Sequence, residues 1–100
     1  MIIKEKTTLD ASQEFIKVVV DLERKILSAY CDLHVDCAEE LVAEGSEWKN
    51  LWGANVFPNK KYIQYSSMIN IRPNAGNRSM DIEDQVIKER ARAIIEKLVW

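Results

Sequence analysis

Asn70, Arg72, Asn77, Arg78 and Ser79 crowd into one stretch, INIRPNAGNRSMDIED, residues 69–84. Loop amides, two guanidinium groups and the start of a following helix are the ingredients of a cradle for phosphate or carboxylate. Arginine donates bidentately, and a helix N-terminus presents unpaired N–H groups. The same residues also read as turn chemistry. Pro73 stops a strand, Gly76 and Asn77 tolerate positive φ, and Ser79 or Asp81 caps the helix. Asp81, Glu83 and Asp84 already bring negative charge to that helix start, which repels a further anion. The charge balance favours turn and cap; a small anionic ligand held by these five residues is the alternative.

The second candidate is CDLHVDC, residues 31–37. Cys31, His34 and Cys37 are all metal-capable, but their spacing matches no common zinc pattern. In an extended chain, positions 31 and 34 point to opposite faces, which also weakens a Cys–His nucleophilic pair. No metal and no cofactor are expected, and both cysteines are expected as reduced thiols. His34 and Asp36 share a face if the strand persists, the arrangement of an oriented imidazole available for acid/base support. Asp36 is also a good helix N-cap, with Glu39 completing a capping box. Asp21 and Glu23 read as surface charges beside Arg24 and Lys25. Trp52 alternates with Ala54 and Val56 and is expected in the core, while Trp48 is the expected exposed aromatic.

These groups need a scaffold, and the hydrophobic pattern outlines one. MIIKEK reads as a first strand and LDASQEF as a short helix. Residues 17–31 carry either a hairpin turning near Arg24–Lys25 or part of one long helix; three successive valines favour the hairpin. A two-turn helix follows Asp36 and stops at Gly45. LWGANVF and KYIQYSSMINIR form a second hairpin, with Ile63, Tyr65, Ser67, Ile69 and Ile71 on one face of its later strand. The last helix starts near Asp81 and buries Ile87, Ala91, Ile94, Ile95 and Leu98. The pattern predicts an α+β domain: an antiparallel sheet of four or five strands with two or three helices packed mainly on one face.

The 100 residues make one domain, 1–100, with 47% apolar and 30% charged residues and a net charge of −2. Nucleic acid is an unfavoured partner for that charge. The first fifty residues carry six Lys/Arg against eleven Asp/Glu and the last fifty eight against five. The halves fold together, so internal complementarity is one account of the asymmetry, and a charged partner is allowed but not required. No stretch is long and apolar enough for a membrane span. Without a secretion-type leader, and with two cysteines read as thiols, the expected compartment is the cytoplasm.

VVVDLER, LHVD, LWGANVF, SMINIRP and GNRSM, in that order along the chain, resemble a family of small prokaryotic proteins of unknown function. The resemblance implies a compact cytoplasmic domain without an established activity, and it carries no functional residues over. The leading expectation is a non-enzymatic binding or protein-interaction module. A homodimer through the strand face of Tyr62, Gln64 and Met68 is one form it would take. The alternative is a small enzyme or anion-binding protein centred on residues 70–79.

Overall fold

The computed structural model describes all 100 residues. Five strands, β1 (Ile2–Ile3), β2 (Ile16–Asp21), β3 (Ile26–Ala29), β4 (Leu51–Phe57) and β5 (Tyr62–Gln64), form one antiparallel sheet in the order β1-β3-β2-β4-β5. Two helices complete the chain, α1 (His34–Ala43) and α2 (Gln85–Val99). The α+β class and five-stranded antiparallel sheet are as the pattern predicts. The placement of the helices is not, because the strands are apolar on both sides.

The valine run shows why. Val18 and Val20 pack with Ala91, Ile95 and Leu98 of α2, while Val19 packs with Cys37, Ala38 and Leu41 of α1. Side chains alternate across a strand, so α1 and α2 lie on opposite faces rather than mainly on one. Trp52, Ala54 and Val56 join the larger, α2-side core, as expected of Trp52; Ile26 and Leu51 join the smaller one. β3 and β4 both run antiparallel to β2 and are therefore parallel to each other. Parallel strands need a crossover, and α1 supplies it above β2.

Residues 16–29 form the hairpin, not a long helix. With no glycine at its turn, Lys25 takes φ 57 itself. The buried Asp21 carboxylate accepts from Glu23 N and Arg24 N at 2.9 and 3.0 Å. This is an Asx-type turn, in which a side chain does the work of backbone. Asp21 is thus a turn residue rather than a surface charge.

Four boundaries differ from the sequence pattern. Residues 9–15 form turns instead of a short helix; Leu9 is drawn into the main core while its polar neighbours offer no apolar stripe. α1 begins at His34, with Leu33 at the N-cap position and no side-chain cap, so Asp36 sits inside the first turn and forms no capping box. Gly45, at φ 117, ends that helix as expected. The strand predicted through Arg72 stops at Gln64, and α2 starts at Gln85 behind an Asp84 cap.

Candidate functional site

Beyond Gln64 the edge of β4 is completed by side chains instead of a strand. Gly53 N donates to Asn70 Oδ1 at 2.8 Å, and Asn70 Nδ2 donates to Gly53 O at 3.0 Å and Met80 O at 2.9 Å. The carboxamide thus imitates one residue of a neighbouring strand. A Cβ at position 53 would lie 2.6 Å from both Cβ and Oγ of Ser67, so only glycine lets this segment close on the sheet. Arg72 continues the seal. Its guanidinium donates to the carbonyls of Ile69, Lys49 and Leu51 and stacks 4.5 Å from the Trp52 ring centroid. Burial pushes its pKa below the usual arginine value.

Asn77 is the knot of the loop. Its Nδ2 donates to the carbonyls of Asn70, Ser79 and Asp81, and its Oδ1 accepts from Glu83 N. Glu83 in turn accepts from Arg78 N, Ser79 N and Ser79 Oγ at 2.7–2.9 Å. These bonds, the Ser79 hydroxyl foremost, hold its carboxyl below the ordinary range. The fold therefore gathers Asn70, Arg72, Asn77, Arg78 and Ser79 into one loop. Asn70, Arg72 and Asn77 direct their polar groups at the protein's own backbone, and Arg78 alone projects an exposed charge.

His34 belongs to a different cleft. It lines a cavity of about 360 Å³ between the start of α1 and residues 66–69, over the part of the sheet that α1 leaves uncovered. Arg72 lines a separate cleft with Trp48, Lys49 and Pro73. His34 and Arg72 are thus not brought into one pocket. Nor do His34 and Asp36 share a strand face; both lie in the first turn of α1, with Asp36 exposed.

The floor of the His34 cleft comes from strand pairing. Lys17 of β2 and Asn55 of β4 are register partners, so their side chains are cross-strand neighbours on the α1 face. His34 Nε2–H donates to Ala54 O at 2.8 Å. That bond leaves Nδ1 as the acceptor of the neutral ring. Burial, aided by the Lys17 charge, holds the imidazole below its ordinary pKa against the opposing pull of the Ala54 carbonyl. Lys17 has no carboxylate partner; its ammonium lies 5.1 Å from the Phe15 ring centroid. Asn55 donates to Gln64 Oε1 and Ser66 O, but its own Oδ1 is buried without a partner. The rim is apolar: Leu33, Val35, Met68 and Met80 are all exposed.

Sequence reasoning found His34 but missed Lys17 and Asn55. Their only local signal is a polar residue interrupting each of two apolar runs, IKVVVD and LWGANVF. It also misread the cysteines. Cys31 and Cys37 are joined in a disulfide, with Cα atoms 5.7 Å apart. The helix starting at His34, in place of the predicted strand, curls the chain back and brings them together. Both sulfurs are thereby taken from any metal set, and no three metal-capable side chains converge elsewhere.

A family model described as a protein of unknown function, DUF5674, matches residues 2–98. Neither a comparison with curated proteins nor one with solved structures finds a match. No helix is long and apolar enough to cross a membrane.

Proposed function

The chain belongs to the DUF5674 family of unknown function, and we propose that it acts as a small-molecule binding module through the His34 cleft. The ligand class is a small carboxylic acid with an apolar body. Its carboxylate meets Lys17 and the uncapped start of α1, and its body lies on Leu33, Val35, Met68 and Met80. One observation carries this reading. Under an apolar rim lies a polar floor on which Lys17 has no carboxylate partner, the charge a ligand's carboxylate would meet. Ligand sites characteristically combine mostly apolar walls with a few converging polar groups, in clefts of roughly 300–1,000 Å³. Binding rather than catalysis is favoured because His34 spends Nε2 on a backbone carbonyl. Ser67 Oγ, in turn, is engaged by Ile69 N.

The test is a thermal-shift and amide-NMR titration with hexanoate, 4-methylpentanoate and phenylacetate, with inorganic phosphate alongside. At a hundred times Kd a ligand adds about 2.7 kcal/mol, a shift of roughly 10 °C or more for this size. Resonances of Gly53, His34, Asn55 and Ser67 should move with an acid, and Lys17→Met should abolish the response. Silence toward all three acids, or shifts confined to residues outside the cleft, overturns the reading. A phosphate response lost in Arg78→Ala would instead favour the anion-binding loop at residues 70–79.

A protein partner is the second reading, supported by Tyr62 and Met68, exposed at 55% and 74%. A homodimer through Tyr62 and Gln64 of β5, with Met68 beyond the strand's end rather than on its face, predicts a mass that rises with concentration in sedimentation equilibrium. A constant monomer mass rejects it. We place the protein in the cytoplasm, which a fractionation experiment tests directly.

A further inference from the structure

The Cys31–Cys37 disulfide spans a sequence separation of 6, from the end of β3 into the first turns of α1. Cross-linking so short a loop saves unfolded-chain entropy only at the low end for disulfides, because the saving grows with the logarithm of loop length. Stapling the fold is a poor account of such a bridge in a domain with a core on each face of its sheet.

The two sulfurs sit in unlike surroundings. Cys37 is wholly buried in the α1-side core, whereas Cys31 is half-buried. Cys31 borders a cleft of about 440 Å³ lined with Phe15, Lys17, Tyr30 and Asp32. Tyr30 is held at φ 65, and its hydroxyl accepts from Asp10 N at 2.7 Å. A left-handed tyrosine is conformationally costly, and such backbone gathers at functional sites. Here it swings the chain out of β3 and delivers Cys31 to the cleft. Lys17, without a carboxylate partner, places a positive charge in the same cleft, the setting that favours a thiolate.

We propose that Cys31–Cys37 is a redox-active pair that exchanges with small thiols of the glutathione class, with Cys31 Sγ as the sulfur attacked. An incoming thiolate bonds to Cys31 Sγ as the Cys31–Cys37 bond breaks. The electron pair leaves on Cys37, which takes a proton once the freed segment 32–36 admits water to it. A second thiolate attacks the external sulfur of the mixed disulfide and releases Cys31. Two thiols are oxidised to one disulfide while the protein disulfide is reduced to two cysteines. The opened pair frees residues 32–36, including Leu33, His34 and Val35 of the neighbouring cleft wall. The exchange itself does not depend on any ligand in that cleft.

The experiment treats the oxidised full chain with graded reduced glutathione under native conditions, quenches by alkylation and reads mass and peptide map. The expected result is opening in proportion to thiolate concentration, unchanged by sub-denaturing urea, with the first adduct on Cys31. In Lys17→Met the exchange should slow several-fold. Incubation of Cys37→Ala with oxidised glutathione should give one adduct, on Cys31. If that variant does not fold, the wild-type kinetics and adduct position decide alone. Opening that tracks global unfolding, or a first adduct on Cys37, overturns the proposal and leaves a structural bridge.

Discussion

The two helices begin in opposite ways. α2 is preceded by a loop whose polar groups have found partners within the chain, the exposed Arg78 guanidinium excepted. Asp84 accepts from Val86 N and Ile87 N, Glu83 gathers Arg78 and Ser79, and Asn77 ties three carbonyls together. α1 has no side-chain cap and opens onto a floor where Lys17 has no counter-charge and Asn55 Oδ1 has no donor. Residue for residue the first region looks more like a binding site. What distinguishes a candidate site is unspent capacity beneath an apolar cleft, which the α1 region has. The other buried unpartnered atoms, Asp21 Oδ2, Tyr65 OH and Trp100 Nε1, do not line that cleft, and Arg78 stands exposed on the surface.

The sharpest way to break this contrast is to remove the keystone of the satisfied region. Asn70→Ala leaves Gly53 N–H, Gly53 C=O and Met80 C=O without their partner. Asn70 is 0% exposed, so water reaches those groups poorly. Each buried orphan costs about 1–3 kcal/mol, and a loss of about 4 kcal/mol is expected in urea unfolding. Asn70→Asp keeps the acceptor for Gly53 N but turns an oxygen toward the Gly53 and Met80 carbonyls and buries a carboxylate, so it should lose at least as much. If Asn70→Ala costs under about 1 kcal/mol, the loop is not sealing the sheet edge and the anion-binding reading of residues 70–79 regains its ground.

Next in size is the bridge that stands where α1 lacks a cap. Chain entropy assigns a loop this short about 2 kcal/mol. Reduction should lower stability by that amount, and amide exchange should quicken in residues 32–37 more than at the start of α2. Equal loosening of both helix starts would show that the disulfide acts globally and that the two regions are not independent.

A reciprocal pair of substitutions tests the caps themselves. Asp84→Ala should cost about 1 kcal/mol, the usual worth of an N-cap. Leu33 already has the extended N-cap conformation, φ −127 and ψ 147, and its side chain is exposed. Leu33→Ser should therefore stabilise by about 0.5–1 kcal/mol, read as a rise in the thermal midpoint, while weakening any acid that uses the free end of α1. A neutral or harmful Leu33→Ser would show that the bare start of α1 is already satisfied.

The sequence made one part of this contrast legible and concealed the other for the same reason. Turn chemistry at Pro73, Gly76 and Asn77 is local, so the loop and its structural character could be read from residue types. The hairpin was readable because Val18, Val19 and Val20 must each be buried, which a strand between two helices allows. The extension of β5 was not, because the alternation from Ile63 to Ile71 continues past the point where the chain leaves the sheet. The cause is Gly53, 14 residues away from Ser67 in a different strand, whose missing side chain admits Ser67 and Asn70. Lys17 and Asn55 meet only through the β2–β4 register, and no local pattern announces a pairing between strands separated by a hairpin and a helix. The cysteines show the same limit: whether residues 31 and 37 meet depends on where α1 begins.

The smallest effect is a pH dependence that should belong to the α1 region. His34 is held below its ordinary value of 6.5 chiefly by burial, with Lys17 of β2 adding to the shift and the Ala54 carbonyl of β4 opposing it. Asp36, on the helix itself, is exposed and solvated. With the folded pKa depressed, the unfolded chain takes up the proton first as pH falls. The stability associated with neutral His34 is therefore complete above the unfolded value. It declines as pH drops below about 7 and is lost once pH passes the folded value. One group limits the slope to about 1.4 kcal/mol per pH unit. Glu83 carries the same sign in the other region, but its lowered carboxyl acts only as pH falls below the ordinary 4.5. Urea midpoints measured from pH 8 to 4 should thus fall in two separate steps. His34→Gln should erase the upper step alone, and Ser79→Ala should shrink the lower one. An upper step that survives His34→Gln would mean that the buried imidazole is not what titrates beside the cleft, and Lys17 would then have to be read without it.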